Sequence, residues 1–435
     1  MFLEKNLSDI ESDYMKKIHM FTSAACNYIP KVRVLIESVR KWHPEWVIHL
    51  ALSDELPEGI DLSSEPFDVV HPAASLDIPD FIGWAFCHTI VEFSTAIKPF
   101  MLKKLLDRDD CAGVIYLDPD TVVFSRLDDM LEALKDANVA LTPHQTTPET
   151  GLSAVMDNEI CSLKHGIYNL GFLAVSPTEI GKAFAAWWAE RIYYYCRAEI
   201  PNGLFTDQRW IDLVPAFFDG ICILRSSRLN VATWNLTTRE VSGVAPWDIS
   251  VDGCPLGFYH FSGFDSGAIR TMAEKNANGN NTIACLIKWY TNTTADLSKD
   301  PLSMVPWRFG MFSDGSAIPS PARFVYRERL DLQKQFLNPF DAAHGGFKWW
   351  WESQGRNEYK KLFDPAAAPA ELTRLQANIT PGFRAGVSQG HVRVPLLSAH
   401  LRQALLDSAH RNRLTRRAWE ILRTEGVSGI RRRLS

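Results

Sequence analysis

The chain has 435 residues, of which 46 are Lys or Arg and 51 are Asp or Glu, so its formal charge at pH 7 is −5. Apolar residues make up 46%, which excludes a disordered chain, and the acidic balance excludes a generally basic nucleic-acid binder. The charge is uneven, because residues 411–435 hold eight Arg against Glu420 and Glu425. This basic tail needs an explanation of its own.

No segment of the sequence has the pattern of a secretion signal or of a membrane span, which needs about 18 consecutive apolar residues. We therefore expect a cytoplasmic protein. The eight cysteines include no C-x-x-C pair and no metal-finger spacing, so we expect reduced thiols. Because their number is even, disulfides in an exported protein stay the alternative.

The first elements in the chain predict a strand, a helix and a second strand. Residues 17–22 have a strand pattern, residues 24–30 a loop pattern, and residues 32–42 place apolar side chains at helical spacing before a strand over Val47–Leu52. Such a βαβ unit implies parallel strands, with ligands bound beyond their carboxyl ends. Thr22 and Tyr28 lie at that position in the sequence.

Another helix is predicted over residues 93–106, followed by a strand over residues 113–117 that ends on Asp118-Pro119-Asp120. Further strands are predicted over residues 139–142, 172–175 and 220–224, and helices over residues 180–195 and 207–218. We expect an α/β domain over residues 1–265, a Trp-rich subdomain over residues 266–365 and a helical, basic tail over residues 366–435. Two acids thus follow a strand at the edge where ligands bind.

The spacing of Asp118 and Asp120 lets both carboxylates face one hard cation, because alternate residues of an extended segment share a side. Two other interpretations stay open at this point. The triplet could be an ordinary turn that ends a strand. It also fits the nucleophile motif of haloacid-dehalogenase-type phosphatases, in which Asp118 would be phosphorylated and Asp120 would be the acid and base.

Several short segments, in order, carry a resemblance to a known family. They are residues 94–100, 114–123 and 127–132, then Tyr168-Asn-Leu-Gly171, Thr206-Asp-Gln208, Trp234-Asn235 and His260-Phe-Ser-Gly263. Together they resemble the retaining GT-A glycosyltransferases of the glycogenin and bacterial lipopolysaccharide galactosyltransferase kind, known as glycosyltransferase family 8. The resemblance spans about residues 17–265 and implies a GT-A fold, a Rossmann-like mixed sheet, with a partly helical C-terminal extension.

The resemblance also implies roles for ten residues. The metal ligands would be Asp118, Asp120 and His260, holding Mn²⁺ or Mg²⁺; the donor-binding residues would be Thr22, Tyr28, Lys98, Asn169 and Gly171; and Asp207 and Gln208 would be catalytic. Each has a plainer interpretation. For example, Lys98 could be a solvated lysine, His260 a half-buried histidine, and Asp207 an N-cap.

The function implied is metal-dependent transfer of a hexose, with retention, from a nucleotide-diphosphate sugar to a glycan or lipid-linked acceptor, with a UDP-sugar favoured. The expected setting is bacterial surface polysaccharide synthesis, with residues 411–435 contacting a membrane surface or a partner protein. One departure stands out, because the family pattern places a lysine where this chain has Ser266, and Arg270 or another cation would have to replace it. A non-catalytic relic that binds nucleotide sugar or glycan is therefore the alternative.

Trp349, Trp350 and Trp351 are consecutive, and such aromatic faces can stack on pyranose rings. Adjacent tryptophans are also common in a packed core. The sequence leaves both interpretations open.

Overall fold

The computed structural model describes residues 16–379 and Arg423. It confirms the first predicted unit, with β1 at Lys17–Ala24, α1 at Ile29–Trp42 and β2 at Val47–Leu52. The two strands pair in parallel, from His19 opposite Val47 to Ala24 opposite Leu52. The carboxyl end of β1 therefore leads directly into the loop that holds Tyr28.

The other strands, in chain order, are β3 (Val69–Pro72), β4 (Cys111–Leu117), β5 (Thr121–Val123), β6 (Val139–Pro143), β7 (Tyr168–Val175), β8 (Arg197–Glu199), β9 (Leu204–Thr206), β10 (Ile221–Ile223), β11 (Val241–Val244), β12 (Asp248–Val251), β13 (Cys254–Pro255) and β14 (Phe258–His260). The other α-helices are α2 (Phe81–Phe86), α3 (Ile90–Ala96), α4 (Lys98–Leu106), α5 (Asp128–Asp136), α6 (Leu152–Ala154), α7 (Ile160–His165), α8 (Glu179–Tyr195), α9 (Gln208–Ile211), α10 (Val214–Phe217), α11 (Ala268–Asn276), α12 (Asn281–Ala295), α13 (Ser320–Glu328), α14 (Leu330–Gln335), α15 (Phe347–Trp350), α16 (Arg356–Glu358) and α17 (Ala368–Ile379).

Seven strands form the central sheet, in the order β10, β6, β7, β4, β1, β2, β3. β7 runs antiparallel to both β4 and β6, and the remaining neighbours are parallel. Every residue of β7 is buried, as a central strand covered on both faces requires. The predicted mixed α/β class is confirmed.

β5 and β14 form a two-stranded sheet that is separate from the central one. β5 pairs antiparallel with β14, so that Phe258, Tyr259 and His260 lie opposite Val123, Val122 and Thr121. This pairing carries His260 to the chain segment that immediately follows Asp120.

Two predicted helices are each divided in the structure. The predicted helix over residues 93–106 is two helices, α3 and α4, that meet at Ile97. Pro99 lies in the first turn of α4, where its missing N–H costs nothing, whereas inside one continuous helix it would have broken a hydrogen bond. Residues 207–218 likewise form α9 and α10, with Pro215 in the first turn of the second.

The described residues divide into two compact units. One holds the described residues up to Arg327 together with Gln333–Glu352, and the other holds Glu328–Leu332 together with the described residues from Ser353 onward. All eight cysteines are free thiols. In the part of the chain that the structure describes, no helix is long and apolar enough to cross a membrane. Of the helical, basic tail predicted over residues 366–435, the structure describes α17 at Ala368–Ile379 and Arg423, and the rest lies outside the described residues.

Three histidines form a chain of hydrogen bonds across the parallel strands. His19 Nδ1 lies 2.9 Å from His49 Nε2, and His49 Nδ1 lies 3.1 Å from His71 Nε2. Asp110 Oδ1 lies 3.2 Å from His19 Nε2. This arrangement suits neutral imidazoles, because His71 can donate to His49 and His49 to His19, whose Nε2 faces Asp110. Burial lowers the pKa of His49 to about 3 and of His71 to about 4, and it also lowers the pKa of His19.

These lowered pKa values predict acid lability. Below pH 6.5 these imidazoles are protonated in the unfolded chain but stay neutral in the folded protein. The free energy of unfolding therefore falls, as the pH is lowered, by up to about 1.4 kcal/mol per pH unit for each imidazole. We expect urea unfolding to show a steep loss of stability between pH 6.5 and 5. His71→Gln keeps a donor to His49 but does not titrate, so its slope in that window should be shallower. An unchanged slope would contradict this account.

Candidate functional site

Asp118 and Asp120 lie in the tight link between β4 and β5. β4 continues the central sheet until Leu117, and the backbone N–H of Asp118 donates to Gly171 O of β7 at 2.9 Å. The N–H of Thr121 then donates to Asp118 O at 3.0 Å, which closes the turn. The strand-ending turn is therefore present, and both carboxylates lie at the carboxyl end of a central parallel strand.

His260 joins the two carboxylates through the β5–β14 ladder. Its Nε2 lies 3.1 Å from Asp120 Oδ1 and 3.7 Å from Asp118 Oδ2. One ligand atom from each of the three residues falls within 4.8 Å of the others. The imidazole is 4% exposed, so the half-buried histidine of the plainer interpretation is not what the structure shows.

Asn169 fixes the orientation and the tautomer of that imidazole. Its Oδ1 accepts the backbone N–H of Gly171 at 3.0 Å, which identifies this atom as the oxygen of the amide. The same oxygen lies 3.1 Å from His260 Nδ1, so Nδ1 must be the donor. In the neutral ring, Nε2 then keeps its lone pair on the side of Asp118 and Asp120, as a metal-ligating histidine requires.

Gly171 makes room for the histidine. A Cβ atom at this position would lie 2.4 Å from His260 Cε1 and 2.5 Å from its Nδ1, closer than side chains approach. The close approach of the ring to β7 therefore depends on the missing side chain.

We expect Gly171→Ala to displace the His260 ring while β7 keeps its pairing. Overpacking of this kind costs about 1–3 kcal/mol of stability. Metal affinity, measured by Mn²⁺ titration calorimetry, should fall by at least about 10-fold. Gly113→Ala is the matched control, because its Cβ would meet Ile18 Cδ1 at 3.3 Å, far from the ligands. Equal Mn²⁺ affinity in both variants would contradict the role given to Gly171.

The charges of the site shift the pKa values of its members in opposite directions. Burial alone would lower the pKa of His260, but Asp120 and Asp118 outweigh it and raise the pKa. Burial alone would raise the pKa of Asp120, but His260 and then Lys98 hold it below its usual value. Asp120 and His260 therefore each favour the charged form of the other.

Lys98 lies buried between two carboxylates. Its Nζ is 3.2 Å from Asp118 Oδ1 and 3.2 Å from Asp207 Oδ2, and the side chain is 4% exposed. Burial opposes the charged form, but the two carboxylates outweigh it and raise the pKa of Lys98. The solvated lysine of the plainer interpretation is wrong. Lys98 lies at the start of α4, beside Pro99.

Asp207 occupies the N-cap position of α9, but its side chain makes no capping hydrogen bond. The carboxylate faces Lys98 instead, and Thr206 Oγ1 donates to its Oδ1 at 3.2 Å. Thr206 itself has a φ of +44°, an unfavourable value for a β-branched residue. The capping interpretation of Asp207 is therefore wrong for its side chain, which the backbone aims into the site.

Gln208 holds two neighbouring chain segments together. Its Oε1 accepts the N–H of Leu170 at 2.9 Å, and its Nε2 donates to His165 O at 3.0 Å. Asn169 Nδ2 also lies 3.5 Å from the same Oε1. The amide thus supports β7 next to Asn169, and its polar atoms are engaged with protein groups.

The residues of the first loop lie differently from one another. Thr22 is fully buried in β1, and its Oγ1 has no hydrogen-bond partner among the described residues. Tyr28 lies at the end of the loop, and its hydroxyl donates to Asp265 Oδ2 at 3.0 Å.

Arg270 is exposed on α11. Trp350 and Trp351 are buried, whereas Trp349 is 41% exposed.

The sequence analysis does not identify two residues that contact the site, Tyr116 and His144. Tyr116, two residues before Asp118 on β4, donates its hydroxyl to Asp118 Oδ1. Its ring also lies under Lys98, with Nζ 4.3 Å from the ring centroid. The alternation of a strand could have found Tyr116, because residues two apart share a face. His144, whose Nε2 accepts from Asn169 Nδ2 at 3.1 Å, carries no comparable signal in the sequence.

The donor set fits a divalent cation. Two carboxylates and one imidazole suit Mn²⁺ or Mg²⁺, and the imidazole nitrogen favours Mn²⁺. The two carboxylates are partly exposed, so the cluster is open on one side to further ligands. Asp118, Asp120 and His260 can therefore hold a divalent metal ion and leave room for a further ligand.

Comparison with known proteins gives distant similarities. No protein-family model matches the chain. Two Bacillus subtilis (strain 168) proteins, the uncharacterized YfnF and YfnD, are 25% and 24% identical to this chain. Each match spans 58% of this chain, and the matches cover 85% of YfnF and 79% of YfnD.

Among solved structures, the galactosyltransferase LgtC with donor and acceptor sugar analogues aligns at a TM-score of 0.37 and 18% identity, over 66% of this chain and 97% of its own. Mouse xyloside xylosyltransferase 1 aligns at a TM-score of 0.34 and 12% identity, over 57% and 98%. Similarities of this size do not identify a function.

Proposed function

We propose that this chain is a divalent-metal-dependent glycosyltransferase of the GT-A kind that transfers a hexose from a nucleotide-diphosphate sugar with retention. The observation that carries the proposal is the convergence of Asp118, Asp120 and His260 at the carboxyl end of β4. A diphosphate leaving group is strongly anionic, and an acidic chain needs a cation to bind it. A UDP-sugar is the favoured donor.

A divalent ion at this site would bind the diphosphate and stabilise the negative charge that develops on it as the glycosidic bond breaks. The protein residues prepare the site for this. Asn169 and Gly171 orient His260, and Lys98 neutralises the excess charge of Asp118 and Asp207. Burial of Lys98 and Asp207 strengthens each of these electrostatic contacts.

Retention is proposed to follow front-face displacement. The acceptor hydroxyl attacks the anomeric carbon on the side from which the diphosphate departs, and its proton passes to the departing phosphate oxygen. Asp207 and Gln208 act as supporting groups. Their side chains are engaged with Lys98 and with the backbone of β7, which favours this role over that of a covalent nucleophile.

The proposed acceptor is a glycan or a lipid-linked glycan in bacterial surface polysaccharide synthesis, with residues 411–435 holding the enzyme to an anionic membrane. Removing these residues should reduce sedimentation with vesicles that contain anionic lipid and should leave donor hydrolysis unchanged. Equal sedimentation of both proteins would contradict the membrane contact.

The experiment that tests the proposed activity is release of nucleoside diphosphate from UDP-, GDP- and dTDP-hexoses, measured with Mn²⁺ and with a chelator. We expect slow hydrolysis of one donor that requires the metal, and faster turnover when an acceptor glycan is added. Metal-dependent binding without any turnover would instead support the non-catalytic relic.

A further inference from the structure

The carboxylates of the site outnumber the one described cation that contacts them, Lys98. Asp118, Asp120 and Asp207 face one ammonium, that of Lys98, so two negative charges remain for a divalent ion to neutralise. Lys98 is also engaged by carboxylates on two sides. A nucleotide-diphosphate sugar brings further negative charge, and burying that charge without a partner would be costly. The donor therefore needs another cation from the protein.

The loop that follows His260 stays close to the metal ligands. The N–H of Phe261 donates to Asp120 O at 2.9 Å, and the chain then turns at Gly263, whose φ is +76°. The turn is closed by the N–H of Ile269, which donates to Gly263 O at 3.2 Å. Asp265 is thereby presented at the rim of the site.

Two residues of the first loop and α1 meet Asp265 there. Tyr28 donates its hydroxyl to Asp265 Oδ2 at 3.0 Å, and Lys31 forms an ion pair with Oδ1. Lys31 Nζ also lies 4.7 Å from the centroid of the Tyr28 ring. Burial raises the pKa of Tyr28, and the charges of Asp120 and Asp265 raise it further.

We propose that Lys31 is the cation that binds the diphosphate of the donor, and that Asp265 holds its ammonium at the rim until the phosphates displace it. This inference rests on the nucleotide-sugar function proposed above. The Lys31 and Asp265 side chains are 26% and 51% exposed, so their ion pair is weak and exchanges readily for a phosphate partner.

The test compares nucleoside diphosphates with monophosphates. Titration calorimetry in the presence of Mn²⁺ measures the dissociation constants of UDP, GDP, ADP, CDP and dTDP and of the matching monophosphates for the full chain. For the base that binds, Lys31→Met should weaken diphosphate binding by about 10-fold or more and monophosphate binding far less. Lys31→Arg should retain most of the affinity, because its guanidinium also pairs with phosphate.

Lys41→Met is the matched control, because Lys41 lies on the same helix about 15 Å further along and contacts Trp42 and Trp247. This variant should bind the nucleoside diphosphate and the matching monophosphate with the same affinities as the unmodified protein. Asp265→Asn removes the competing carboxylate and should tighten diphosphate binding.

Three results would overturn the inference. Unchanged diphosphate affinity in Lys31→Met would overturn it alone and leave the proposed function standing. Equal weakening of diphosphate and monophosphate would show that Lys31 only positions Tyr28 and the first loop. Failure of the unmodified protein to bind any of the diphosphates with Mn²⁺ would overturn the inference together with the proposed function.

Discussion

Asp120→Asn should abolish metal-dependent binding and turnover of the donor while leaving the fold intact. Asp120 offers the carboxylate closest to His260 Nε2, and an amide oxygen is a far weaker ligand for Mn²⁺ or Mg²⁺. We expect Mn²⁺ affinity and donor hydrolysis to fall by at least about 100-fold. The free energy of unfolding should change by less than about 1 kcal/mol, because the side chain is 21% exposed and an amide can still form a hydrogen bond with His260 Nε2.

Asp128→Asn is the matched control for that variant. Asp128 lies at the start of α5, is 61% exposed and pairs with Arg126 on the surface. It should retain full metal affinity and turnover. Undiminished metal-dependent turnover in Asp120→Asn would remove this residue from the metal site.

Lys98→Met should cause a large loss of stability. Removing the ammonium leaves Asp207 buried without its ion partner, and burial then raises the pKa of that carboxyl unopposed by the lysine. Breaking a buried pair in this way costs about 3–5 kcal/mol. Urea unfolding at neutral pH measures the loss, with Lys103→Met, an exposed position of the same helix, as the control.

A double variant distinguishes the charge from the packing. If the cost of Lys98→Met comes from the unpaired carboxylate, then adding Asp207→Asn should recover a substantial part of the lost stability. Strictly additive losses in the double variant would contradict the buried ion pair as the cause.

The sequence predicts the central architecture because local patterns determine it. The βαβ unit of β1, α1 and β2, and the buried strand β4, each follow from apolar periodicity within a few residues. The divided helix at Ile97 was missed, although Pro99 carried the signal. The sequence therefore predicts where strands and helices lie, but it predicts their exact ends less accurately.

The site is harder to predict, because long-range pairing assembles it. The pair Asp118 and Asp120 is visible as a local motif, but the contact with His260 depends on the ladder between β5 and β14. In the sequence, only the resemblance to a family links these positions. The burial of Lys98 between Asp118 and Asp207 involves three separate elements, and no local pattern predicts it.

The contact between Lys31 and Asp265 is a further case. Periodicity in α1 shows only that Lys31 lies in the first turn of a helix, where a solvated lysine is ordinary. Its proximity to the loop after His260 emerges from the folded sheet. The missing lysine at Ser266 could be recognised in the sequence, but its candidate replacement could not.

The most direct test of the central claim is a thermal-shift panel of UDP-, GDP-, CMP- and dTDP-sugars, with and without Mn²⁺, on the unmodified chain, Asp120→Asn and Asp128→Asn. A ligand at 100 times its dissociation constant adds about 2.7 kcal/mol of stability. We expect one nucleotide sugar to raise the melting temperature only when Mn²⁺ is present, in the unmodified chain and Asp128→Asn but not in Asp120→Asn. A shift that is independent of the metal, or no shift with any nucleotide sugar, would contradict a metal-dependent donor site at Asp118, Asp120 and His260.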